Sequence, residues 1–66
     1  MKNNVKIHRA ITGYTQQDLA EKIGVSRQTI NAIESGKYVP STVLSLKIAR
    51  VFEKSMEDLF SLEGTD

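Results

Sequence analysis

Residues that start helices alternate along this chain with residues that end them, and this punctuation is the strongest constraint on its fold. Gly13, Gly24 and Gly36 stand where helices would end, because glycine enters the left-handed C′ conformation without steric penalty. Asn4, Thr15, Ser26, Ser41 and Ser55 stand where helices would begin, as acceptors for the orphan N–H groups of a first turn. Thr15-Gln16-Gln17-Asp18 and Ser55-Met56-Glu57-Asp58 have the form of a capping box. Pro40 precedes Ser41 and so belongs to a connecting loop. These marks predict an all-α fold of five helices, at about 4–12, 16–23, 27–35, 42–52 and 56–61. The linkers are too short for a second domain, and residues 1–66 read as one unit.

Apolar spacing agrees with the punctuation. Leu19, Ala20 and Ile23 fall on one face of the second helix, and Ile30 and Ile33 on one face of the third. Leu44, Ile48, Ala49 and Phe52 do the same in the fourth helix, and Met56, Leu59 and Phe60 in the fifth. Val5, Ile11 and Tyr14 are expected to close the core from the first. Leu46, Val51 and Leu62 fall off these stripes, either as buried edge positions or as part of a subunit interface.

A chain of 66 residues buries only about 60% of the surface its unfolded form exposes. Regular helix packing and self-association are the available reinforcements, because there is no cysteine for a disulfide or thiolate site. His8 is the single histidine; one imidazole does not make a metal site, and a surface or core-edge place is expected for it. No metal and no cofactor are expected. No apolar run approaches the ~20 residues of a membrane span, and charged residues near the start interrupt any signal-peptide core, so a soluble, cytoplasmic protein is expected. Net charge is +1, yet residues 1–50 carry a balance of +5 and residues 51–66 one of −4. That asymmetry fits a basic face for a polyanion and an acidic end turned away from it, although lopsided charge also arises by chance in small domains.

The most informative stretch is residues 16–35. Counted from Gln16, the apolar residues Leu19, Ile23, Val25, Ile30 and Ile33 hold the fourth, eighth, tenth, fifteenth and eighteenth places. Ala20 holds the fifth and Gly24 the ninth. Two helices joined by a three- or four-residue turn and crossing at a large angle need this pattern. Ala20 allows close approach, Gly24 takes the left-handed turn, Val25 plugs the gap beneath it, and the remaining apolar residues bind the helices together.

With these residues in place, the chain resembles the Cro and lambda-repressor-like helix-turn-helix family, of the xenobiotic-response-element type. The likeness runs from Arg9 through Thr15-Gln16, Val25-Ser26-Arg27-Gln28-Thr29-Ile30 and Ile33-Glu34-Ser35-Gly36-Lys37. It continues through Pro40-Ser41 and Ile48-Ala49 to Glu57-Asp58-Leu59-Phe60, nearly the whole chain. Small stand-alone repressors of this family are homodimers without a sensor domain, and the chain is similar to them. The resemblance implies that the third helix enters the major groove of double-stranded DNA with Arg27, Gln28, Asn31 and Ala32 toward base edges. Arginine suits guanine O6/N7 and glutamine adenine N6/N7, while Ala32 can touch only an apolar group such as a thymine methyl. Gln16, Gln17, Ser35, Lys37 and Tyr38 are implied as backbone contacts, which position the protein without carrying sequence information. Thr29 either reaches the DNA or only completes the start of its helix. Arg9 and Glu34 are implied as an ion pair bracing the first helix against the third.

The expected function is therefore a DNA-binding transcriptional repressor acting as a homodimer on a pseudo-palindromic operator. The dimer is expected to form through the C-terminal region, about 51–66, with Val51, Leu59, Phe60 and Leu62 as candidates. The chain ends, Met1–Asn3 and Phe60–Leu62, are further expected to pair as short strands, as in the small relatives. The competing class is a protein-interaction module, such as an antitoxin sequestering a partner protein. An enzyme is not expected. His8 has no nucleophile at a readable spacing, Glu57 and Asp58 read as helix-start partners, and the glycines form no phosphate loop. No small-molecule ligand is evident.

Overall fold

In the computed structural model, which describes residues 1–66, the order is β1 (Lys2–Asn3), α1 (Val5–Thr12), α2 (Gln16–Ile23), α3 (Arg27–Glu34), α4 (Thr42–Phe52), α5 (Met56–Leu59) and β2 (Phe60–Ser61). The four longer helices form the body, and α2 packs chiefly on α3. No helix is long and apolar enough to cross a membrane.

The hydroxyl residues start their helices as their chemistry requires. Thr15 Oγ1 accepts from the Asp18 N–H at 3.0 Å while the Asp18 carboxylate accepts from the Thr15 N–H at 2.9 Å. Ser55 and Asp58 close the second capping box at 3.1 and 3.2 Å, and the Ser26 and Ser41 hydroxyls each cap from one side. Asn4 departs from the expectation: its side chain caps nothing in α1 and instead donates to the Asp58 carbonyl at 3.2 Å. Asn3 takes over, its side-chain oxygen accepting from the Val5 N–H at 3.2 Å.

The reason lies at the chain ends. Lys2 pairs with Ser61 and Asn3 with Phe60 in an antiparallel ladder, extended by a 2.8 Å bond from the Asn4 N–H to the Leu59 carbonyl. The same ladder shortens the fifth helix, expected to reach 61, to Met56–Leu59. Phe60 turns out to φ −128°, ψ 140°. A single helical turn gains little from its own hydrogen bonds, so ladder pairing and burial of the Phe60 side chain outweigh another residue of helix.

Twelve apolar side chains form the core, among them Val5, Leu19, Ile30, Ile33, Ile48 and Leu59, none with exposed surface. Truncating Leu19, Ile30, Ile33, Ile48 or Leu59 to alanine is expected to cost about 2–5 kcal/mol. Ile11 does not join them; it is 75% exposed. Six positions after Val5 it lies about 240° around the helix. The face that continues from Val5 carries the half-buried His8 and Arg9 instead. His8 sits at the core edge, its ring tilted 37° against Phe52 at 5.9 Å. Tyr14 is half-buried beside the same ring.

Candidate nucleic-acid interface

The link from α2 to α3 sets what α3 displays. Ala20 has no exposed surface, so α3 can lie close to α2 at that point. Gly24 follows at φ 75°, ψ 36°, a left-handed conformation that strains any residue with a Cβ. The N–H groups of Gly24 and Val25 both return to the Ala20 carbonyl, and the Val25 side chain packs against the core. Ser26 is extended and caps α3. With Ile30 and Ile33 turned inward, Arg27, Gln28 and Asn31 stand exposed. They line a shallow groove together with Gln16 at the start of α2.

The remaining expected contacts fall around this groove with differing freedom. Gln17 is exposed and donates to Glu21 Oε1 at 3.2 Å. Ala32 is half-buried; its carbonyl accepts from the Lys37 and Tyr38 N–H groups at 2.9 and 3.2 Å and from the Ser35 hydroxyl at 3.2 Å. That fixes the turn leaving α3 and leaves the Lys37 and Tyr38 side chains exposed. Thr29 is half-buried, its hydroxyl 3.0 Å from the Ser26 hydroxyl and its N–H bonded to the same oxygen at 3.2 Å. In the free chain it serves the helix start.

Behind the groove, polar side chains tie α1, α2 and α3 together. Arg9 Nε donates to Glu34 Oε2 at 2.8 Å, Nη2 to Oε1 at 3.3 Å and Nη1 to the Tyr14 carbonyl at 2.9 Å. The Glu34 side chain is only 5% exposed, and its hydrogen bond raises the Arg9 guanidinium above the ordinary arginine value. Gln16 Nε2 donates to Glu34 Oε1 at 3.1 Å and to Asn31 Oδ1 at 3.3 Å. Charge within the Arg9–Glu34 pair is internally compensated, so among the expected DNA contacts Arg27 and Lys37 are the cations free to face an anion. At the start of α2, bonds from the Thr15 N–H and hydroxyl hold the Asp18 carboxyl below the usual carboxylate range.

Two expected dimer residues are withdrawn from any partner. Leu59 has no exposed surface and Phe60 is 8% exposed, because the ladder at the chain ends seats both in the core. Val51 is half-buried and Leu62 is 81% exposed. Leu46, expected at a buried edge or a subunit interface, is 54% exposed on the outer face of α4, beside Lys47, Arg50 and the 65% exposed Val43, which the sequence reading did not mark. The signal for Val43 was its spacing, opposite to Leu44, Ile48 and Phe52. No group of three His, Cys, Asp or Glu side chains is placed to hold a metal ion.

Two helices joined by a glycine turn, the second displaying a polar face over the first, define a helix-turn-helix protein. The helix-turn-helix family model matches residues 6–59, and the chain belongs to that family, in its Cro/lambda-repressor-like form. It is 57% identical over 63 residues to YgzD of Bacillus subtilis, an uncharacterized HTH-type transcriptional regulator, covering 96% of each chain. An uncharacterized HTH-type transcriptional regulator of Methanocaldococcus jannaschii is 57% identical over 66 residues, with both chains fully covered. Among solved structures, the N-terminal DNA binding domain of SinR from Bacillus subtilis superposes with a TM-score of 0.77 at 30% identity, covering 91% of this chain and 88% of that one.

Proposed function

We propose that this chain is a cytoplasmic transcriptional repressor that binds a pseudo-palindromic DNA site as a homodimer, with α3 in the major groove. The observation that carries the proposal is the exposed row of Arg27, Gln28 and Asn31 on a helix whose other side is locked into the core by Ile30 and Ile33. A donor-rich row on a rigid helix matches the acceptors of purine edges. The first-turn amides of α2 and α3 point out of their helices, where an anion is favoured. Gln17, Ser35, Lys37 and Tyr38 flank the row as backbone contacts. Ala32 is left to an apolar neighbour.

Size argues for two copies. An eight-residue α3 is about 12 Å long, enough for only three or four base pairs at about 3.4 Å each. A second copy one turn away, about 34 Å, doubles the site, and one protomer is 32 Å in its longest dimension. Val51 and Leu62, with the outer face of α4, supply apolar surface for the pairing. With no catalytic arrangement in the site, repression by occupancy is the simplest output.

The test is binding of Arg27→Ala to a set of duplexes differing by single base pairs. The proposal requires the preference at one position to be relaxed by about 1–3 kcal/mol with the fold intact. An unchanged ranking of the duplexes would contradict it, and would favour a protein-sequestering module of the antitoxin kind.

A further inference from the structure

We propose that Asn3 is a positioning residue for DNA-backbone binding: it ties the ladder at the chain ends to the turn that leaves α3, and so holds Lys37 and Tyr38 in place. The inference rests on the DNA-binding function proposed above. Asn3 Nδ2 donates to the Ile33 carbonyl at 2.8 Å while Asn3 Oδ1 accepts from the Val5 N–H at 3.2 Å. One partner needs a donor and the other an acceptor, so the two ends of the amide are assigned. The Asn3 backbone is itself fixed, paired with the buried Phe60 across the ladder. The half-buried side chain therefore joins the strand pair, the start of α1 and the end of α3.

Ile33 is the last residue but one of α3, where a carbonyl has no partner further along the helix. Its oxygen receives two bonds, from Asn3 and from the Gly36 N–H at 3.1 Å. The rest of the turn is secured locally, with the Lys37 and Tyr38 N–H groups both returning to the Ala32 carbonyl. Asn3 thus supplies the one hydrogen bond from another element to the backbone of residues 31–38. Without it the turn hangs from a helix end that frays, and the exposed Lys37 and Tyr38 side chains lose a fixed place relative to the body. Arg27 and Gln28 lie at the other end of α3, about 8–9 Å from Ile33 along the axis, beside their own Ser26 cap. Asn3 therefore governs how firmly the DNA backbone is gripped and not which bases are read.

The test uses Asn3→Thr. Threonine suits a strand and its hydroxyl can still accept from the Val5 N–H, but it is too short to reach Ile33. Thermal unfolding confirms that the variant is folded; should it fail, Asn3→Ser loses the same bond and takes its place. In the free protein the amide NMR signals of Gly36 and Lys37 are expected to shift, and those of Arg27 and Gln28 to stay. On duplexes differing by single base pairs, at one low salt concentration, the variant is expected to bind all of them about three- to tenfold more weakly, the effect of one lost hydrogen bond. The ranking of the duplexes is expected to be unchanged. Added to Lys37→Ala/Tyr38→Ala, the same substitution should alter affinity by less than about 1.5-fold, because the contacts it positions are gone. An equal loss in both backgrounds, as general destabilisation would give, would overturn the proposal. So would wild-type affinity or an altered ranking. Wild type that binds no duplex would remove the DNA-binding function and this inference with it, and the Gly36 and Lys37 signals distinguish that failure from a missing link to Ile33.

Discussion

Removing Arg9 should strongly destabilise this domain, whereas removing Arg9 and Glu34 together should cost much less. Arg9→Met strips two hydrogen bonds from a Glu34 carboxylate that is 5% exposed and one from the Tyr14 carbonyl. Glu34 keeps only the bond from Gln16. Breaking one side of a buried ion pair costs about 3–5 kcal/mol. Arg9 is itself 18% exposed, and water can reach part of the vacated space, so about 2–4 kcal/mol is expected here. A domain of 66 residues has roughly 3–10 kcal/mol in all. The melting temperature should therefore fall by roughly 10–30 °C. Urea denaturation followed by far-UV circular dichroism measures the change directly. Arg9→Met/Glu34→Leu removes the stranded charge and should recover at least half of the loss, since well-packed apolar replacements of buried pairs are often neutral. A single-variant cost below about 1 kcal/mol, as for an exposed pair, would refute the reasoning. A double variant no more stable than the single would refute it equally.

Other perturbations test other parts of the structure. Glu53 ends α4 at φ 54°, ψ 43°, a left-handed conformation, so Glu53→Gly should stabilise the fold by about 0.5–1 kcal/mol in the same denaturation assay. The Asp18 and Asp58 carboxyls are held below their ordinary values chiefly by the backbone N–H groups of Thr15 and Ser55. Their contribution is present above the unfolded aspartate value, about pH 4, and is lost as pH falls through the lower folded value. Stability measured against pH should decline in that acid window, and Asp18→Asn with Asp58→Asn should flatten the decline. Lys37→Ala should weaken binding to all duplexes alike and reduce the slope of log affinity against log salt by about one, read by fluorescence anisotropy across a salt series.

Local chemistry was legible in the sequence; long-range pairing was only partly so. Thr15, Ser26, Ser41 and Ser55 each act within three residues of themselves, so their spacing placed four helix starts correctly. The pattern across residues 16–35 identified the α2–α3 unit because its constraints are short-range and stereochemical. Asn3 replaced Asn4 at the start of α1 because a strand from the far end of the chain captured that segment. Met56, Leu59 and Phe60 suit a helix or a helix followed by a strand, and only pairing with Asn3 decides between them. Ile11 was drawn inward by its hydrophobicity, yet a small protein lacks the polar residues to cover its whole surface. Glu53 adopts a glycine-like conformation that nothing in its identity announces. At the site, α3 and its exposed residues could be read from the motif. The engagement of Gln16 by Asn31 and Glu34 joins residues 15 and 18 positions apart, and spacing alone does not reveal it.

The most direct test of the DNA-binding account is selection of bound sequences from a pool of random duplex DNA at about 0.15 M salt, where non-specific binding is weak. Enrichment of an inverted repeat with half-sites about one helical turn apart is the predicted result. Failure of the folded protein to enrich any sequence would contradict the account.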